Sequence, residues 1–344
     1  MARVRSDTEA EARAALEAVP GTTWRPFGRD DLPAIATFFR ECENYDHNPE
    51  RQSLSGLQEF WDSPRSRPDI DTLVGYDVAQ RIVAVAWAGC SRVVTERRRV
   101  YLGGAVRPDR RGEGIGRAVL RWEMTHAFEW DQDTRKEGYG PLVMQLHAPS
   151  GQSDVRDLAE RHGLGVERYF FELSRRLDDI PPVAEPNGVC VVDWDPERGH
   201  EVHHVVDRAF RDHWGHTDAT DEMWREFVGS RAFRPDWSLL AVDRTTGTVV
   251  GAALNCAYEQ DWQATGVREG YTDQLAVART HRGRGIASAL LRDSMRRFAA
   301  SGMDRAALGV DAANPSGAVR LYESLGYRQT ASTCIHQLTR LSSG

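Results

Sequence analysis

One short pattern of glycine and arginine occurs twice in this chain, once in each half. The first copy is Val106-Arg-Pro-Asp-Arg-Arg111-Gly112-Glu-Gly114-Ile-Gly116, and the second is Val277-Ala-Arg-Thr-His-Arg282-Gly283-Arg284-Gly285-Ile286-Ala287. Each copy follows a short apolar strand (Val100 to Val106; Tyr271 to Val277) and opens an amphipathic helix. A glycine-rich turn feeding a helix N-terminus presents free main-chain N–H groups, which suit a diphosphate. Two such turns in 344 residues imply two copies of one nucleotide-cofactor domain, each long enough to bury its own core.

The flanking pattern repeats as well. Residues 1–20 are charged and Ala/Glu-rich and read as an N-terminal arm, either a frayed helix or disordered. A first domain, 21–177, opens on a strand near Thr22 to Phe27. A helix from Arg29 then carries Leu32, Ile35, Ala36 and Phe39 on one face. Strands are expected at Thr72 to Tyr76, Ile82 to Gly89 and Leu142 to Leu146, with a helix from Asp154 to His162. Residues 178–187 contain three prolines and read as a stiff linker. The second domain, 188–344, repeats the order: a strand at Val189 to Trp194, a helix from Pro196, and a hairpin across Thr245 to Gly247. The cradle strand and helix follow, then a strand at Ala306 to Val310 and a helix at Pro315 to Leu325. The fold class is therefore α/β, a mixed and mostly antiparallel sheet flanked by helices, built twice.

A net charge of −7 disfavours generic nucleic-acid binding and mildly favours a cationic small molecule. No apolar run approaches the roughly 18 residues of a membrane span, and the N-terminus lacks a signal-peptide core, so a cytoplasmic protein is expected. The five cysteines are scattered without a Cys-x-x-Cys pair, which disfavours zinc and disulfide frameworks. His200 and His204 lie one helical turn apart, but no third ligand has a fixed spacing to them, so no metal is expected.

The cradles, together with Asn314-Pro-Ser-Gly-Ala-Val-Arg-Leu-Tyr322-Glu-Ser-Leu-Gly326-Tyr327, resemble the GCN5-related N-acetyltransferase superfamily. Arg111, Gly114 and Gly116, and again Arg282, Gly285 and Ala287, match its Arg/Gln-x-x-Gly-x-Gly/Ala signature, and the later stretch looks like its last helix motif. The resemblance is to the tandem, two-domain type. It implies acetyl-CoA as cosubstrate and direct transfer to a primary amine of a small molecule. It implies a diphosphate held by the amides of Arg282 to Ala287, and by those of Arg111, Gly112, Gly114 and Gly116 if the first copy also binds. It implies a thioester carbonyl polarised from Leu275, Ala276 or Val277, Asn314 beside the pantetheine arm, and Tyr322 as proton donor to the departing thiolate. Tyr322 also fits an apolar stripe with Ala318, Leu321 and Leu325, and Asn314 before Pro315 also reads as a helix cap.

An amine of pKa about 10 must lose a proton before it attacks. Strand alternation puts Asp273 on the side of Leu275 and Val277 and makes it the candidate base, with Glu269 in reserve. Asp212, His213 and Trp214, near the end of the second domain's first helix, are candidate acceptor contacts. Aligned by cradle and tail, the first half has Leu102 for Asp273, Ala159 for Tyr322 and Gly151 for Asn314. It keeps the cradle without the chemistry. The competing readings are acetylation of a protein N-terminus or lysine, and a non-catalytic acyl-CoA-binding module.

Overall fold

The computed structural model describes residues 2–90, 98–182, 184–211, 213–314 and 317–340, with side chains from residue 10 on. By contact the chain forms two compact units: residues up to Arg168 with those from Thr333 on, and Tyr169–Ser332.

The first unit contains α1 (Ala2–Glu17), β1 (Thr22–Arg25), α2 (Leu32–Tyr45), α3 (Leu54–Asp62), β2 (Thr72–Asp77), β3 (Ile82–Gly89) and β4 (Arg98–Val106). It continues with α4 (Ile115–Thr134), β5 (Leu142–Pro149), α5 (Ser153–Arg161) and the start of β6 (Gly165–Arg176). β1 to β4 pair antiparallel in order, and β4 and β5 pair in parallel. α1 is not an arm. Leu16 and Val19 are buried against Ile115, Ala118 and Val119 of α4, because Ala/Leu spacing in the Glu-rich segment gives the helix an apolar face.

The second unit contains β7 (Val189–Asp193), α6 (Gly199–Phe210), α7 (Asp221–Gly229), β8 (Leu239–Asp243), β9 (Val249–Cys256) and α8 (Glu259–Thr265). β10 (Glu269–Val277), α9 (Ile286–Ala300), β11 (Arg305–Asp311), α10 (Ala318–Ser324) and the start of β12 (Arg328–Arg340), a strand whose residues from Thr333 on belong to the first unit, follow. β7 to β10 pair antiparallel in order, and β10 and β11 pair in parallel. This is the order of the first unit again.

The sixth position differs in origin from what a simple duplication gives. In the second unit β11 pairs with β6, Asp311↔Phe170 to Arg305↔Arg176, a strand that precedes the proline-rich stretch. In the first, β5 pairs with the end of the chain, Pro149↔Thr333 to Leu142↔Arg340. The units accordingly divide within β6 and β12 rather than at 178–187, because each half has given its last strand to the other's sheet.

Two layers cover the second unit's sheet. On one face α6 and α7 bury Val202, Val206 and Trp224 against Leu240, Ala252, Leu254 and Ala276. On the other, α9 buries Ile286 and Leu290 against Leu239, Ala241 and Ala253. Beside it Leu291, Met295 and Phe298 pack with Tyr322, Leu325, Leu308 and Val310. Gly270 on β10 is there for space, since a Cβ at that position would enter the Phe298 ring.

Candidate active site

β10 and β11 are partners for only three residues, Glu269↔Arg305 to Tyr271↔Ala307. Beyond Tyr271 they separate, while β10 keeps β9 as far as Val277↔Gly251. The bond from Ala278 N–H to Val250 O (2.8 Å) and the pair Ala276↔Ala252 fix which residues face β9. Antiparallel alternation then turns the N–H groups of Leu275 and Val277 to the side β11 has left. The sheet is split there, with main-chain donors along one wall.

The cradle lies past the end of β10. Gly283 (φ 75°) and Gly285 (φ 79°) are both left-handed, and open space lies where a Cβ would stand. The first N–H to close a turn of α9 is that of Ala289, to Gly285 O, so those of Ile286, Ala287 and Ser288 have no helical acceptor. Arg282 is exposed but tied to the main chain: Nε donates to Val277 O (3.2 Å) and a terminal nitrogen to Ala209 O (2.9 Å). Arg284 donates to Asn187 O. These arginines fix the turn, and the main-chain N–H groups are left to meet an anion. The first unit is built alike. Gly112 (φ 81°) and Gly114 (φ 87°) are left-handed, Arg111 Nε donates to Val106 O (3.1 Å), and its guanidinium grips Asp46.

Where β10 leaves β11 its register with β9 slips between Thr272 and Gln274, a bulge at Asp273. A buried network holds it: Thr272 Oγ1 donates to Asn255 Oδ1 (2.8 Å), and Asn255 Nδ2 donates to Trp237 O and to Ser294 Oγ of α9. The bulge reverses the expected alternation. Leu275 and Val277 face α9, whereas Asp273 lies on the α6 face, where its Oδ1 accepts from Tyr258 Oη at 2.8 Å. Asp273 is exposed to solvent, although many protein atoms surround its carboxyl. That crowding raises its pKa above the ordinary aspartate value, and the Tyr258 hydrogen bond opposes the rise.

Tyr322 lies in the layer on the opposite face, edge-on to Tyr327 with centroids 6.1 Å apart. Burial pushes its phenol up to about 12, so it holds its proton at any physiological pH.

The sequence profile of the Acetyltransferase (GNAT) family matches residues 189–327. A mycothiol acetyltransferase of Thermobispora bispora is 30% identical over 225 residues, 64% of this chain and 70% of that protein. The chain belongs to the GNAT family. It is an acetyltransferase. A GCN5-related N-acetyltransferase from Sphaerobacter thermophilus shares its fold (TM-score 0.75, 23% identity, 94% of this chain and 97% of that one). So does a tandem GNAT protein from the clavulanic acid biosynthesis pathway (TM-score 0.66, 16% identity, 94% and 100%).

Some candidate residues of this GNAT chain stand elsewhere than the sequence suggests. Glu269 begins β10 and its Oε1 accepts from Ser174 Oγ (2.7 Å) on β6. Asn314 does not cap α10: the helix starts at Ala318 after Gly317, in left-handed conformation, and Pro315 lies outside the described residues. Asp212 is outside them too. Trp214 leans on Phe170 of β6 (6.5 Å), and His213 is half-buried, its pKa lowered first by that burial and then by Arg282. His200 and His204 meet edge to face at 4.4 Å. Among the described residues the group with metal-ligand proximity is Asp71, Cys90 and His126 in the first unit, but Arg67 grips both Asp71 oxygens and already supplies the cation. In the first unit Leu102 and Ala159 are core residues, and β4 follows β3 without a register slip. No helix of the described residues is long and apolar enough to cross a membrane.

Sequence reading missed Tyr258, Tyr271 and Glu172. Tyr271 Oη donates to Glu172 Oε2 at 3.0 Å, and the Tyr258 and Tyr271 rings meet edge to face at 5.4 Å.

Proposed function

We propose that the second unit transfers an acetyl group from acetyl-CoA to the primary amine of a small molecule. The observation that carries this reading is the split between β10 and β11, with a left-handed glycine cradle at one end and Asp273 and Tyr322 on its two faces. The residues present fit the cosubstrate. The amides of residues 283–287 suit its diphosphate, and the Leu275 N–H is aimed where a thioester oxygen would gain charge. Acetyl-CoA supplies the activated acyl group.

The chain's own residues then handle protons. Asp273, its pKa raised, takes one proton from the ammonium form of the acceptor. The neutral nitrogen bonds to the acetyl carbon as the carbon–sulfur bond breaks. Tyr322 gives its proton to the departing thiolate and recovers one as the new amide nitrogen sheds its second. Donor and acceptor approach from opposite faces of the sheet, so neither crosses the other's path. The first unit, with the same cradle but Leu102 and Ala159 in its core, is proposed to carry no transfer.

The test is thiol release from acetyl-CoA with a panel of aminoglycosides, polyamines, amino acids and deacetylated mycothiol, the last suggested by the relatives' name. At least one amine is expected to raise release well above the hydrolytic background. No stimulation by any of them, with acetyl-CoA bound, would favour a silent acyl-CoA-binding module.

A further inference from the structure

We infer that the acceptor side of this site is completed from outside the family-matched segment, by Glu172 on β6, as a positioning residue for the amine. The inference rests on the transfer reading above.

Three observations converge. The residue pair Gly309↔Glu172 on β11 and β6 lies just beyond Tyr271↔Ala307, the last pair before the sheet divides. There the half-buried Glu172 carboxylate holds the Tyr271 hydroxyl, on the face that also carries Asp273 and Tyr258. Gly309 is the second observation. Nothing in its backbone requires glycine, but a Cβ there would stand 2.8 Å from Tyr271 Oη and 3.2 Å from Glu172 Oε1. The glycine keeps room for that pair. The third is the next residue inward on the same side of β6: Phe170 packs on Trp214, in the segment that follows α6.

An ammonium arriving beside Asp273 therefore meets a second carboxylate–tyrosine pair. Glu172 orients the Tyr271 oxygen as an acceptor for its N–H groups and adds negative charge that holds it. Asp273 remains the proton acceptor, so Glu172 is expected to set affinity for the amine rather than the rate of its deprotonation. The class of acceptor this favours is one that is cationic at the reacting nitrogen, not a neutral amine or an alcohol.

The experiment is steady-state kinetics of the full chain with the best amine of the panel, for wild type, Glu172→Gln, Glu172→Asp, Tyr271→Phe and Gly309→Ala. A charge-assisted hydrogen bond is worth on the order of tenfold to a hundredfold in binding. The KM for the amine is expected to rise by that factor in Glu172→Gln and Tyr271→Phe, with the KM for acetyl-CoA and the acidic limb of the pH–rate profile unchanged. Glu172→Asp should recover part of the loss. Gly309→Ala, which keeps both polar groups and displaces only their tips, should raise the same KM. An unchanged amine KM in Glu172→Gln, or a parallel rise in the acetyl-CoA KM, would overturn the inference while leaving the transfer reading intact. No transfer by the wild type would remove both.

Discussion

Tyr322→Phe is expected to lower kcat by roughly 10²- to 10⁴-fold, the usual worth of a positioned proton donor. The affinity for acetyl-CoA should change little, because the ring stays in the layer with Leu291, Phe298 and Leu325 and only the hydroxyl is lost. Burial holds that phenol at about 12, so no limb of the wild-type profile between pH 6 and pH 9, roughly, should be due to it. Thiol release measured over single turnovers separates this step from product release. A Phe variant with wild-type kcat would mean that the sulfur takes its proton from elsewhere and that Tyr322 is a core residue only.

Replacing the candidate base should have an effect of similar size. Asp273→Asn is expected to lower kcat by about 10²- to 10⁴-fold and to remove the acidic limb of kcat/KM. The sign for its partner follows from the geometry. Crowding raises the Asp273 pKa and the Tyr258 hydrogen bond lowers it, so Tyr258→Phe leaves the carboxyl with the raising influence alone. The base then stays protonated to higher pH, and the acidic limb should move upward while the plateau at high pH is largely kept. The profile of Tyr258→Phe against wild type checks this. A limb that stays in place, or that survives in Asp273→Asn, would move the base to another group.

The cradles were legible because everything they need is local: glycines that reach positive φ, the apolar strand before and the helix after. Tyr322 was legible for the same reason, through a motif within one short helix. Asp273 was found for a faulty reason. Simple alternation ignored the bulge, and the bulge depends on Asn255, Thr272 and Ser294 meeting from three separate elements. Glu172 and Tyr271 lie 99 residues apart in sequence, and no local pattern joins them. The exchange of β6 and β12 is equally non-local, since a strand's own alternation does not say which sheet it will edge. The Ala/Glu-rich start read as an arm because its apolar face is narrow and needs α4 to complete it.

The unequal roles of the two halves are tested most directly by matched carboxylates in the two cradles, Gly285→Glu and Gly114→Glu. Both positions are left-handed N-caps, so the backbone cost of a side chain is shared. Gly285 is exposed, and Gly114 is half-buried with only the tip of Arg117 near the place of its Cβ. Each glutamate puts negative charge where a diphosphate would lie. Acetyl-CoA dependence of amine acetylation is the measurement. A rise in the acetyl-CoA KM of about tenfold or more in Gly285→Glu, with Gly114→Glu close to wild type, is the predicted result. Loss of activity in Gly114→Glu with Gly285→Glu unaffected would contradict it.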